Sequence, residues 1–291
     1  MRVLPILLFL SLASCTTSRQ AAEPAQPTCT LCAEWNVPHR PVQVYGNTYY
    51  VGTDGLSAVL VTSPDGHVLI DGALPESAPL IEANIEALGF RMADVRLILN
   101  SHTHFDHSGG IAALQRASGA EVAASPAGAR ELRAGTSGPD DPQHGELLSF
   151  PTVADVREVA DGDTLRVGPL ALIARFTPGH TAGGTTWTWT SCESGQCLDL
   201  VYADSLTPIS ADGFRFTRAP SVLADYERSY ALLESLSCDI LVTPHPVSST
   251  FWERIAAREQ GTADALVDPA ACARYAAAAR QRLAQRLASE G

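Results

Sequence analysis

Basic residues are scarce in this chain. Its 291 residues carry 20 Lys+Arg against 32 Asp+Glu, a formal net charge of −12. That balance excludes a general nucleic-acid binder, which needs a cationic face, and leaves only a local basic patch open. No internal repeat is visible, so solenoids and propellers are excluded. Neither SxxK nor GxSxG occurs, so two signatures of serine acyl-transfer enzymes are absent. Disordered His-rich tracts, the usual mark of a protein that buffers or delivers metal, are missing too. CxxC occurs once, at Cys29 and Cys32; without a second, a zinc ribbon is excluded. A redox CxxC would open a helix in a βαβ context, whereas this one follows a Pro-containing stretch, so a local disulfide is expected.

What is present suits one large domain or two small ones, with 45% hydrophobic residues to form a sizeable core. Met1-Arg2 precedes VLPILLFLSLA, a basic start and an apolar run too short to span a bilayer, which reads as an export signal over residues 1–14. The ending LASC resembles the lipobox of bacterial lipoproteins, making Cys15 the lipidated first residue; an ordinary signal peptide cut near Ala21-Ala22 is the alternative. Residues 15–28 then form a polar tether, and 29–291 the folded domain. This places the protein in the periplasm, with a lipid anchor in the outer membrane on the lipobox reading. Export to an oxidising compartment favours disulfides. Cys192 and Cys197 flank the turn-like ESGQ and are expected to staple a hairpin, and Cys238 and Cys272 to tie a C-terminal helix to the body.

Along the chain, short β-like runs between Gly, Asp and Pro-Asp-Gly turns (44–72) give way to alternating helices and strands. Leu80, Ile81, Ile85 and Leu88 recur at helical spacing. VRLILNS (95–101) is apolar enough for a strand buried on both faces. Residues 132–150 are rich in Gly, Pro and Asp and read as a long loop of the kind that carries function. Further strands follow at ALIARFT, TTWTWT, LDLVYA and DILVTP, with helices at 221–237 and over the Ala- and Arg-rich tail from Ala270 to Glu290. Two halves of strands followed by helices predict an α/β fold: two packed sheets with helices outside, in one layered domain.

SHTHFDHSGG (101–110) holds three of the chain's 8 His. HxHxDH arises by chance in roughly fewer than one chain in a thousand of this composition. In extended chain, His102 and His104 point the same way and can converge on one centre. Asp106 and His107 fall where the chain bends into a helix and can face a second centre. Alone, Asp106 would read as a helix N-cap, but imidazoles with one carboxylate suit zinc. Four ligands from one loop cannot close two sites. His180, in TPGHT, and His245, in TPHP, follow predicted strands, where α/β proteins build sites. His39 and His67 lack such a setting and read as structural or surface; His144 lies in the long loop and stays open.

HTHFDH, PGHT and TPHP, together with VYGNTYYVG, LIDG, GGTTWTW, VYADSL and CDILVTPHP, resemble the metallo-β-lactamase superfamily over nearly all of the chain after the tether. The likeness is greatest to the third subclass of class B β-lactamases. It implies a four-layer αβ/βα sandwich with two zinc ions at one edge. His102, His104 and His180 would hold the first ion, and Asp106, His107 and His245 the second. The implied reaction is hydrolysis of the β-lactam amide by a metal-activated hydroxide that Asp106 orients, conferring β-lactam resistance, carbapenems included, on a monomer. Related thioesterases place a bridging Asp in a Gly-Asp pair where this chain has Ala203-Asp204-Ser205. The resemblance therefore places Ser205 in the site and Asp204 behind the ligands, with a bridging Asp204 as the alternative. Thr207 and Gln143 match substrate-facing positions. Asp71 is either an acceptor for a ligand His N–H or a turn residue. A lactone or thioester substrate on the same metals is the competing function, and a zinc-binding lipoprotein the non-enzymatic one.

Overall fold

The structure, a computed structural model, describes residues 28–291. The export segment, Cys15 and the tether up to residue 27 lie outside the described residues. Two sheets face each other. The first runs in spatial order through β1 (Val42–Tyr45), β2 (Thr48–Tyr50), β3 (Val59–Val61), β4 (His67–Ile70), β5 (Val95–Leu99), β6 (Glu121–Ala124) and β7 (Val156–Glu158). Its first four strands pair antiparallel and β4 to β7 pair parallel. The second comprises β8 (Thr164–Val167), β9 (Leu170–Phe176), β10 (Thr185–Glu193) and β11 (Gln196–Tyr202), an antiparallel meander, with β12 (Ile240–Val242) parallel to β11.

Strand periodicity separates the layers. Leu97 and Leu99 of β5 join the core between the sheets with Val59, Ile70, Leu172, Trp187 and Leu200, while Ile98 joins the outer core beneath the helices. Covered on both faces, β5 is apolar except at the exposed Arg96 near its start. On the outer face of the first sheet lie α2 (Ala78–Ala87), α4 (Ile111–Ser118) and α5 (Pro126–Ala134), through Ile81, Ile85, Leu114 and Leu132. On the second lie α6 (Pro220–Ser235) and α8 (Ala271–Glu290), through Tyr226, Tyr230, Leu233, Tyr275 and Leu283. The result is the four-layer α/β sandwich expected. Three short pieces complete it: α1 (Cys32–Trp35), α3 (Phe105–Ser108) and α7 (Phe251–Glu259).

All three expected disulfides are present. Cys192–Cys197 joins opposed residues of the β10–β11 hairpin, Cys238–Cys272 ties α8 to the segment before β12, and Cys29–Cys32 closes a local turn. One of the β-like runs resolves further and one boundary moves. VYGNTYYVG is two strands joined at Gly46-Asn47, where Gly46 takes φ +51°. The long loop begins at Gly135 rather than at residue 132, because Leu132 is a buried residue of α5. Its neck is closed by Phe150 N–H donating to the Gly135 carbonyl at 2.9 Å, so 135–150 is a compact Ω-type loop.

Candidate metal centre

Strands β4, β5, β9, β11 and β12 end at one edge of the sandwich, and the segments leaving them carry every ligand candidate. The 100–108 turn is built on Asp71, just beyond β4. Its Oδ1 accepts from Ser101 N at 2.7 Å and Asn100 Nδ2 at 3.2 Å, and its Oδ2 from Ser101 Oγ at 2.6 Å and Tyr202 Oη at 2.8 Å. Asn100 Nδ2 also donates to His102 O and Ser108 Oγ, closing the turn from within. Asp71 thus braces the loop backbone and accepts from none of the ligand candidates. The following glycines are steric requirements: a Cβ on Gly110 would meet the Gly72 carbonyl at 2.2 Å, and one on Gly109 the Pro75 ring at 2.3 Å. Asp106 lies inside α3, whose N-cap is His104, so the capping alternative does not apply.

The turn presents two donor groups. Ligand atoms of His102, His104 and His180 lie within 4.8 Å of one another, as do those of Asp106, His107 and His245. In the first group the rings of His102, His104 and His180 stand nearly edge to face, with centroids 4.7–5.0 Å apart. In the second, Asp106 Oδ2 lies 3.2 Å from His107 Nε2 and 3.3 Å from His245 Nε2. His102 and His107 adjoin at 4.4 Å between centroids, so the groups share a wall.

Outer partners fix which nitrogen faces inward. His102 Nδ1 bonds Asp204 Oδ1 at 2.6 Å, His104 Nε2 bonds Asp141 Oδ2 at 2.8 Å, and His180 Nδ1 donates to the Thr207 carbonyl at 2.8 Å. His245 Nδ1 lies 3.3 Å from the Gly55 carbonyl, and its ring packs against Trp35 at 5.1 Å. His102 Nε2 is buried with no hydrogen-bond partner among the described residues. A buried imidazole nitrogen, lacking a proton and facing two more imidazoles, is what a metal ion satisfies. Five imidazoles and one carboxylate in sets of three suit a borderline metal such as zinc, and three protein donors leave a coordination position open.

Electrostatics agree. Burial, then the neighbouring His107, His104 and His180, drives His102 well below the ordinary histidine range, into the neutral form that binds metal. Burial and His104 bring His180 down to about 3. Burial alone would raise the Asp106 carboxyl, but His107 and His245 outweigh it and hold the group well below the usual range. Burial pushes Asp204 well above its ordinary value.

Asp204 belongs to neither donor group and stands behind His102. Ser205 is 6% exposed, next to it. Thr207 supplies its carbonyl to both His180 and Tyr226 Oη. The Gln143 backbone N–H donates to Asp141 Oδ1 at 2.7 Å, which puts Gln143 two residues from a partner of His104. His144 is exposed and contacts the Ser137 carbonyl, outside both groups. His67 is buried against Phe90 and accepts from Ser63 N, and His39 stacks on Trp252; both are structural. Sequence reasoning missed Asp141, Trp35 and Tyr202. Asp141 sits in DDPQHG, where adjacent acids in a long loop were the available signal.

The family profile described as Metallo-beta-lactamase superfamily matches residues 51–245. Among solved structures, the Rm3 metallo-beta-lactamase is 55% identical with a TM-score of 0.88, covering 91% of this chain and 99% of that one. MEM-A1, described as a subclass B3 metallo-beta-lactamase from a soil metagenome library, is 50% identical with a TM-score of 0.86, covering 88% and 98%. MIM-1 from Novosphingobium pentaromativorans is 45% identical with a TM-score of 0.84, covering 90% and 97%. A curated relative named hydroxyacylglutathione hydrolase, from Bradyrhizobium sp. (strain ORS 278), is 29% identical over 130 residues. That match covers 44% of this chain and only 41% of the relative.

Proposed function

The chain belongs to the metallo-β-lactamase superfamily, and from that premise we propose that it is a zinc hydrolase opening the β-lactam amide bond. One observation carries the reading: a single turn supplies ligands to two adjoining three-donor groups, each completed from a distant strand end. The breadth of the likeness to proteins described as metallo-β-lactamases supports the substrate class.

When bound, a zinc pair supplies Lewis acidity, polarising a carbonyl and making hydroxide available near neutral pH. The chain's residues do the rest. His102, His104 and His180 would hold the first ion through the ring nitrogens opposite those that bond Asp204, Asp141 and the Thr207 carbonyl. Asp106, His107 and His245 hold the second, and Asp106 orients the attacking water. Ser205, Thr207 and Gln143 position the substrate, the first two through its carboxylate. The chain carries neither SxxK nor GxSxG, the signatures that set up a nucleophilic serine.

The second reading is a thioester substrate, favoured by the hydroxyacylglutathione hydrolase match. Asp204 counts against it, because it backs His102 and joins neither donor group. We further propose a single domain over 29–291 acting as a monomer in the periplasm, exported by residues 1–14 and anchored through Cys15. Zinc-loaded mature protein should hydrolyse a penicillin, a cephalosporin or a carbapenem, and chelator should abolish this. Chelator-sensitive lactone or thioester turnover with intact β-lactam would overturn the substrate.

A further inference from the structure

α5 buries Gly128, Ala129, Leu132 and, on the same face, Glu131. An acid there is a poor choice for packing: a carboxylate that is 6% exposed loses hydration and needs partners. Its partners are specific. One oxygen accepts from the Thr103 hydroxyl, between His102 and His104 in the metal turn. The other accepts from Gly138 N at 3.0 Å, in the Ω loop. Gly138 approaches so closely that a Cβ there would lie 2.7 Å from Glu131 Oε1. Three residues on, Asp141 N donates to the Gly138 carbonyl at 3.1 Å, and Asp141 returns to the metal turn through His104 Nε2. The path Thr103, Glu131, Gly138, Asp141, His104 is a closed ring of hydrogen bonds.

We propose that Glu131 is a positioning residue that latches the Ω loop to the metal turn, holding Asp141 on His104 and Gln143 at the mouth of the site. The neck at Gly135 and Phe150 fixes only the loop's ends. At its far side the loop leans on the 205–215 segment, through Ala211 N to the Pro142 carbonyl and Asp212 N to Glu146 Oε1, both 2.9 Å. Glu131 is the tie to the turn that does not itself pass through a candidate ligand, Asp141 on His104 being the other. Without it, Asp141 depends on a loop free to shift between neck and rim, and His104 loses a fixed acceptor for its outer N–H. Glutamine can keep both contacts, since its carbonyl accepts from Gly138 N and its amide donates to the Thr103 hydroxyl. Alanine keeps neither.

The latch rests on the metal-hydrolase reading, so its test reads metal and backbone before turnover. Three variants of the mature protein, Glu131→Ala, Glu131→Gln and Gly138→Ala, are compared with the parent by zinc titration against a chromophoric chelator and by amide hydrogen exchange of the metal-free and zinc-loaded forms. Glu131→Ala should weaken one of two zinc equivalents about tenfold, the low end of the effect of losing a ligand's outer partner, and leave the other unchanged. Exchange at 136–146 should accelerate at least about tenfold while the strands keep their protection. Gly138→Ala, whose Cβ displaces the carboxylate, should reproduce both effects, and Glu131→Gln should restore both. For β-lactam turnover, the KM of Glu131→Ala should rise more than its kcat falls. Unchanged zinc affinity and loop exchange would overturn the latch, as would weakening of both zincs with loss of protection throughout the fold. Localised zinc and exchange effects in a protein that opens no β-lactam would uphold the latch and overturn the proposed substrate; β-lactam turnover with none of these effects would do the reverse.

Discussion

The two donor groups share one turn but are supported very differently. Each ring of the first group has its outer nitrogen on a close acceptor: Asp204 at 2.6 Å, Asp141 at 2.8 Å and the Thr207 carbonyl at 2.8 Å. In the second, His245 has a looser partner at 3.3 Å, His107 Nδ1 is buried without one, and the His245 side chain is 25% exposed against Trp35. Partners that fix tautomer and ring orientation raise metal affinity. The first group is therefore a rigid seat, and the second a more open one whose wall is the N-terminal segment.

The comparison is broken most completely by removing a ligand. His180→Ala and Asp106→Ala should each lose one zinc, from the first and second group respectively. Turnover should fall by more than the roughly hundredfold typical of losing an outer partner; full activity with two zincs in either variant would undo the ligand assignment. Asp141→Asn and Asp204→Asn should weaken the first zinc alone by about 10–100-fold, and chelator titration of the parent should remove the second zinc before the first. Loss of both ions in a single step would remove the asymmetry.

Smaller effects concern the scaffold. Cutting Cys238–Cys272, which spans 34 residues, should destabilise the fold by about 4 kcal/mol on loop-closure entropy, against about 2 kcal/mol for the short Cys29–Cys32 loop; chemical denaturation compares them. Tyr202→Phe should cost about 1–3 kcal/mol by depriving Asp71 of a buried donor. The smallest effect is that of Glu290 at the end of α8. Burial would raise its carboxyl, but donation from Thr217, Arg286 and Phe216 holds it down at about 2. A depressed carboxylate contributes stability above its unfolded value, about 4.5, and loses it as pH falls through the folded value. Glu290→Gln should therefore lower stability at neutral pH, flatten the acid limb of the stability curve between about pH 4.5 and 2, and converge with the parent below about pH 2.

Much of this was legible in the sequence, for identifiable reasons. HxHxDH concentrates four ligands in six residues, and His180 and His245 are marked by the strands before them. The strands were readable because burial on both faces makes β5 apolar at every position but Arg96. Some signals were present but unread: Ser125 as N-cap, Pro126 in the first turn and Gly135 at the C-cap delimit α5, and Gly46-Asn47 marks a hairpin. Asp141, Glu131 and Trp35 are another matter. Each acts on a residue distant in sequence; Asp141 had only its adjacent acid Asp140 as a mark, and a lone Glu or Trp carries no period that announces its partner. Asp71 was noticed as either an acceptor for a ligand His or a turn residue; its partners Ser101 and Tyr202 are set by the chain's fold, not by its local pattern.

The central claim is a two-zinc hydrolase of β-lactams. Its most direct test counts zinc by native mass spectrometry in the same samples whose β-lactam ring opening is followed during stepwise chelation. The account predicts two zincs per chain, ring opening that falls as the ions leave, and recovery when zinc is returned. Ring opening that survives complete removal of zinc, or two bound zincs with every β-lactam left intact, would contradict it.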